Sequence, residues 1–208
     1  TEVWVKLIRE RKLGYFALLK NLKNILEQAP NIVPEACKML TDESLIKSSL
    51  VLPFRYVTAL DELSVMSGVD SHLVKQVIMA VNEACDLSMK NVPVFEGKTL
   101  IALDGSGSMT GSLWMDRREN KKGPDIIGSL FAATLFKVNR GADLMIFSND
   151  VSWVTLNPMD STLTLMNSIK NRLPGGGTNF HGIFNESSKA YDRIIILSDN
   201  EAWMGYEA

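Results

Sequence analysis

Thr99-Leu100-Ile101-Ala102-Leu103-Asp104-Gly105-Ser106-Gly107-Ser108 is the stretch that decides the fold. The unbroken apolar run Thr99–Leu103 has the pattern of a strand buried on both faces, as in a parallel sheet. The glycine-rich turn that follows delivers one carboxylate and two hydroxyls at alternate positions. Open α/β sheets build their ligand sites at the carboxyl ends of such strands. The oxygen set suits a hard divalent cation. Mg²⁺ takes near-octahedral oxygen ligands and often only one or two carboxylates, with water completing the shell.

Two later segments extend this reading. Gly175-Gly176-Gly177-Thr178-Asn179 can bring backbone close to a ligand and present the Thr178 hydroxyl. Asp199 follows a second apolar run, Arg193–Ser198. Asp104, Ser106, Ser108, Thr178 and Asp199 are therefore expected to converge on Mg²⁺ or another divalent cation. The D-x-S-x-S loop, the later Thr and the later Asp, in this order, resemble the metal-ion-dependent adhesion site of von Willebrand factor A domains.

Working outward, the pattern after residue 97 alternates strand and helix. Strands are expected at Thr99–Leu103, Ala142–Phe147, Val151–Leu156 and Arg193–Ser198, the third as an antiparallel hairpin partner of the second. Helices are expected over Pro124–Asn139, Ser161–Arg172 and Phe180–Ala190. This is the signature of a doubly wound α/β domain, here residues 98–208. Four strands would leave Arg193–Ser198 as an apolar edge. The domain is therefore expected to be partial, and the 208 residues to be part of a longer protein.

Residues 1–90 read as helical throughout, an α-solenoid or bundle, and residues 91–97 (Asn-Val-Pro-Val-Phe-Glu-Gly) as a linker. Tyr15, Leu18, Leu19, Leu22, Ile25 and Leu26 recur at helical spacing, with Lys20, Asn21, Lys23 and Asn24 between them. Lys20, Lys23 and Asn24 then share the polar face of one helix, with Asn21 near its edge. Thr41-Asp42-Glu43 reads as the cap and acidic first turn of one helix, Asp70 or Ser71 as the cap of another, and Pro53 as the start of the helix between them.

Composition sets limits. A hydrophobic content of 46% supports a true core, and a net charge of −2 gives no global attraction to nucleic acid. Any such binding must come from local patches. Six basic residues face two acidic ones between Thr1 and Ile25. Phosphate contacts come from such clusters, although a solvated helix face has the same composition. Arg55, after Pro53-Phe54, either reaches a phosphate bidentately or caps a neighbouring helix. Arg117, Arg118, Lys121 and Lys122 are either RNA contacts or a solvated insertion, and Trp114 and Met115 lie in the same loop. His181 reads as a helix-starting residue beside the site, His72 as a first-turn residue. Cys37 and Cys85 read as buried thiols, in keeping with a reducing, cytoplasmic compartment. No apolar stretch has membrane-spanning length.

Catalysis is not expected. Gly105-Ser106-Gly107 lacks the G-x-S-x-G spacing of a nucleophile elbow, no Walker lysine follows the glycines, and Asp104 is not followed by a second Asp.

Ala17-Leu18-Leu19-Lys20-Asn21-Leu22-Lys23-Asn24-Ile25 and Leu52-Pro53-Phe54-Arg55-Tyr56 resemble the TROVE domain. The junction from Ala80 through Asn91-Val92-Pro93 to Met109 resembles the same family, the Ro autoantigen family, in which a TROVE region precedes a von Willebrand A domain. The resemblance implies a HEAT-like helical ring closed by the A domain and an RNA-binding function. It implies small noncoding Y-type RNA as partner, misfolded RNA ends as further ligands, and an exoribonuclease tethered through RNA. It implies neither DNA nor membrane. Lys20, Asn21, Lys23, Asn24 and Arg55 are the RNA-contact residues it suggests. The competing reading is a protein-interaction module whose metal captures an acidic partner side chain.

Overall fold

The computed structural model describes residues 2–110, 123–187 and 190–200. Two compact units divide the chain, Thr1–Val92 and Pro93–Ala208.

The first unit is helical: α1 (Glu2–Arg9), α2 (Tyr15–Lys20), α3 (Leu22–Gln28), α4 (Val33–Leu40), α5 (Glu43–Ser49), α6 (Pro53–Ser64) and α7 (Ser71–Leu87). Short 3₁₀ turns cover Pro30–Ile32 and Ser88–Asn91. Asp42 caps α5 by accepting from the Ser44 and Leu45 amides, and Asp70 caps α7 by accepting from His72 N. Leu18, Leu22, Ile25, Leu26, Ile32, Leu40, Ile46, Leu63 and Val81 are buried together with Tyr56. The Tyr56 hydroxyl donates to that of Tyr15 (3.2 Å), which donates to the Leu40 carbonyl (2.7 Å). That chain satisfies two phenols inside an apolar core. Burial pushes the Tyr56 phenol up to about 12. Cys37 and Cys85 are free and buried, and burial raises the Cys37 thiol to about 11. Asn91 belongs to this unit rather than to a linker, because its amide donates to the Ile46 and Val51 carbonyls.

The second unit holds a four-stranded sheet ordered β3-β2-β1-β4. Its strands are β1 (Thr99–Asp104), β2 (Asp143–Phe147), β3 (Val151–Val154) and β4 (Arg193–Leu197). β1 runs parallel to both β2 and β4, and β3 is antiparallel to β2. Every residue of β1 is buried, as its apolar run requires of a central strand. Leu100 and Ala102 pack with Met145, Phe147 and Ile183, the last from α10 (Phe180–Glu186). The alternate residue Leu103 meets α8 (Pro124–Val138). A Cβ on Gly128 would sit 3.0 Å from its Cδ1 and 2.9 Å from Met109 Cε, so a larger residue there would require those side-chain ends to shift. α9 (Thr162–Lys170) packs on α8, where Lys170 pairs with Asp125 at 3.8 Å. Helices thus cover both faces of a mostly parallel sheet. β4 lies at its edge, with Ile196 39% exposed.

No helix among the described residues is long and apolar enough to cross a membrane.

Candidate functional site

Parallel pairing brings three loops to the carboxyl end of the sheet. The register Leu103↔Leu197 places Asp104 opposite Ser198. Asp104 is fully buried. Its Oδ1 accepts from Ser106 N at 2.9 Å, folding the loop back on itself, and its Oδ2 accepts from the Ser198 hydroxyl at 2.6 Å. The Ser106 and Ser108 hydroxyls lie 3.1 Å apart. Both are buried, as is Thr178.

The glycine strap before Thr178 is pinned to this loop on both strands of contact. Gly175 N donates to Gly105 O and Gly107 N to Gly176 O, each at 2.8 Å. Gly175 and Gly176 have φ of +76° and +91°, a conformation that L side chains rarely adopt. Asn149, in the β2–β3 turn, holds the other side. Its Oδ1 accepts from Gly177 N at 2.8 Å, and Asn179 N donates to Ser148 O. Thr178 therefore sits between two residues fixed to one turn. Gly105 admits no side chain, since a Cβ would lie 2.7 Å from both Ile146 Cγ2 and Pro174 Cδ.

These groups fit a hard cation. A wholly buried carboxylate has no ion pair among the described residues, and burying such a charge uncompensated is costly. No cluster of three or more His, Cys, Asp or Glu occurs among the described residues. The donor set is thus hydroxyl-rich oxygen, which suits Mg²⁺ rather than Zn²⁺. Hydrogen bonds unite Asp104, Ser106, Ser108 and Ser198. Asp199 is exposed and lines a hollow with Met109, Ile127, Phe131 and Ile196. Sequence reading missed Ser198 and Asn149. Ser198 carried a signal, being the residue that faces Asp104 once the two strands are paired. Asn149 carried none. His181 is an exposed first-turn residue of α10. Trp114, Met115, Arg117, Arg118, Lys121 and Lys122 lie outside the described residues.

In the helical unit, the expected single face of Lys20, Lys23 and Asn24 is not formed. The helix breaks at Asn21 (φ −113°, ψ 15°), leaving Lys20 on α2 and Lys23 and Asn24 on α3. The cause is local. Asn21 Nδ2 donates to Ala17 O at 2.8 Å, the carbonyl its own backbone N–H would have reached, and that N–H turns to Leu18 O instead. Asn21 Oδ1 accepts from Asn24 Nδ2. Lys23 lies 4.0 Å from Glu27, one turn on.

Lys20 and Arg55 converge elsewhere. Lys20 Nζ lies 5.4 Å from the ring centroid of Phe16 and the Arg55 guanidinium 5.1 Å from it. Arg55 also stacks 4.5 Å from Phe54. Among the described residues, Arg55 has no hydrogen bond to a helix-end carbonyl, and neither cation has an ion-pair partner. Phe16 is 38% exposed. It borders a hollow of about 280 Å³ with Leu50, Val51, Leu52, Phe54 and Arg55. Leu50 ends α5 in the left-handed conformation (φ +53°) and is 71% exposed.

No protein-family model matches the chain. Its fold is similar to that in the crystal structure of the Deinococcus radiodurans Ro (RSR) protein, with a TM-score of 0.69 and 22% sequence identity over 93% of this chain. The chain spans 41% of the length of that protein. At this identity the likeness is one of fold: this chain has a helical unit followed in sequence by an α/β unit.

Proposed function

We propose that this chain is the RNA-binding part of a Ro-type protein, acting on small noncoding, Y-type RNA and on misfolded RNA ends in cytoplasmic RNA storage or quality control. One observation carries the reading. Lys20 of α2 and Arg55 of α6, far apart in sequence, meet on one exposed aromatic ring, and neither has an ion-pair partner among the described residues, with Glu62 lining the same hollow. Such a local patch gives phosphate affinity to a chain of net charge −2. The Ro-like fold supports this over the protein-interaction alternative. An exoribonuclease tethered through the bound RNA is consistent with it. Asn21 and Asn24 are assigned lesser parts because their side chains bond each other, and Lys23 because it lies on α3, past the break at Asn21, whereas Lys20 and Arg55 meet on Phe16. The reading is of binding, not catalysis.

We further assign Asp104, Ser106, Ser108, Thr178 and Asp199 to a bound Mg²⁺, with Ser198 orienting Asp104. When bound, the ion supplies positive charge that neutralises Asp104. The protein's residues hold that carboxylate, exclude water from it and fix the hydroxyls by the glycine strap.

A salt series decides the function. Affinity for a small structured noncoding RNA should fall linearly on a log–log plot, with a slope of roughly −0.7 to −0.9 per neutralised phosphate. A chain that binds no RNA even at low salt refutes the reading.

A further inference from the structure

We propose that Phe16, Phe54 and Arg55 form a subsite for one unpaired nucleobase, with Lys20 on an adjoining phosphate. This rests on the reading of the helical unit as RNA-binding and adds which form of RNA the patch takes and how.

The geometry carries it in three steps. First, the guanidinium plane lies against Phe54 and Phe16 at 4.5 and 5.1 Å, an arrangement that holds a flat, charged surface in place. Cation–π contact fixes the group without consuming its N–H donors, which stay available to phosphate. Second, the hollow beside it is walled by Leu50, Val51, Leu52 and the two rings. The hydroxyl of Ser49 is already engaged, donating to Ile46 O and accepting from Val51 N. An apolar slot with one planar cation accepts the face of any base and reads none of its edges, so the subsite is sequence-tolerant. Third, bases in a duplex are stacked on one another and present no face, whereas unpaired bases can be splayed onto an aromatic ring. Lys20 lines an adjoining smaller hollow of about 50 Å³ with Phe16, Arg55 and Glu62, which places a second cation beside the base slot.

The test uses the intact chain with two fluorescein-labelled probes, a short oligouridylate and an RNA duplex of equal length, read by anisotropy over a salt series. Phe16→Leu removes the ring and keeps apolar volume at a part-exposed site. It should weaken oligouridylate binding roughly 5- to 100-fold, the range of one lost base stack, while leaving the salt slope and duplex affinity unchanged. Arg55→Lys, which keeps charge and loses the plane, should do the same and serves if Phe16→Leu perturbs folding by circular dichroism. Wild-type binding of oligouridylate with both variants within twofold would overturn the subsite and leave the RNA reading standing. Absence of RNA binding by the wild type would overturn both. If both variants instead lose binding of a labelled Glu-Tyr copolymer while oligouridylate affinity holds, the patch is a protein-docking surface and the subsite is wrong.

Discussion

The two candidate sites are built on opposite principles. At the end of the sheet, oxygen atoms are buried and held largely by backbone: Asp104, Ser106, Ser108 and Thr178 are nearly inaccessible, and hydrogen bonds among the β1 loop, the glycine strap, the β2–β3 turn and the end of β4 pin them. In the helical unit, charge is exposed and held only by stacking on Phe16 and Phe54. A buried oxygen cage is rigid and pre-organised, and suits a small hard ion that demands geometry. An exposed cation on a ring moves readily and suits a polyanion that demands charge more than geometry. Substitutions should therefore act sharply at the first site and gradually at the second.

The sharpest break is expected at Asp104. Asp104→Ala should lower Mg²⁺ affinity by more than the roughly 10–100-fold seen when an outer-sphere partner is lost. Titration calorimetry measures this directly. Saturating Mg²⁺ should stabilise the wild type by about 2.7 kcal/mol at a hundredfold excess over Kd and leave the variant unmoved. Asp104→Asn adds a sign test. In EDTA it should unfold at or above the wild-type temperature, because it removes a buried charge that is hydrogen-bonded but has no ion pair among the described residues. Full Mg²⁺ affinity in either variant would remove the ion from this site.

Asn149 sharpens the comparison, since it touches the cage only through backbone. Asn149→Ala frees Gly177 N and should cost Mg²⁺ affinity roughly 10–100-fold by loosening the strap that carries Thr178. Asn149→Asp keeps the acceptor and should restore most of it. Equal loss in both variants would indicate that the turn merely fails to fold.

How far each site could be read from sequence follows from the same contrast. Most of the oxygen cage is announced locally: Asp104, Ser106 and Ser108 are spaced within one loop and Thr178 follows a glycine run, whereas Asp199, expected from the apolar strand before it, is exposed at a neighbouring hollow. Ser198 and Asn149 were not singled out, because their roles exist only once β4 pairs with β1 and the β2–β3 turn meets the strap. The four strands and the antiparallel β3 were legible from apolar runs and turn residues, whereas the strand order was not. The helical patch was half legible. Lys20 and Arg55 were named, but Phe16, which joins them, lies in α2 while Arg55 lies in α6. No periodicity reports that meeting. The break at Asn21 was hidden too, because a side-chain amide displacing a backbone N–H leaves hydrophobic spacing intact.

The core under the patch gives a prediction of intermediate size. Tyr15→Phe strips the Leu40 carbonyl and the Tyr56 hydroxyl of a buried partner and should destabilise the helical unit by about 1–3 kcal/mol in urea melts. The Tyr56 phenol, raised by burial from 10.0 to about 12, favours the protonated folded state. Its contribution is full below pH 10.0 and lost as pH rises through about 12. Tyr56→Phe should therefore flatten the alkaline loss of stability in that window. An unchanged alkaline profile would show that the phenol is reached by water in the folded state.

The smallest effects separate two lysines three residues apart. Lys20 faces Phe16 without an ion-pair partner among the described residues, whereas Lys23 lies by Glu27 on α3. An exposed pair of that kind is worth only about 0.3–0.5 kcal/mol, so Lys23 is not locked away from RNA. Its disadvantage is position, because it lies on α3, past the break at Asn21, whereas Lys20 and Arg55 meet on the Phe16 ring of α2. Lys20→Ala should weaken binding across unrelated RNAs and reduce the salt slope by about 0.7–0.9, one phosphate's share of released counterions. Lys23→Ala should lower affinity less and leave the slope nearly intact. The Lys20→Ala, Lys23→Ala pair should then resemble Lys20→Ala alone. Equal slope changes from the two single variants would mean that RNA runs along both helices and that Asn21 bends the chain without dividing the surface. No change from either would return both lysines to solvated surface, and with them the contrast between a site that demands geometry and one that demands charge.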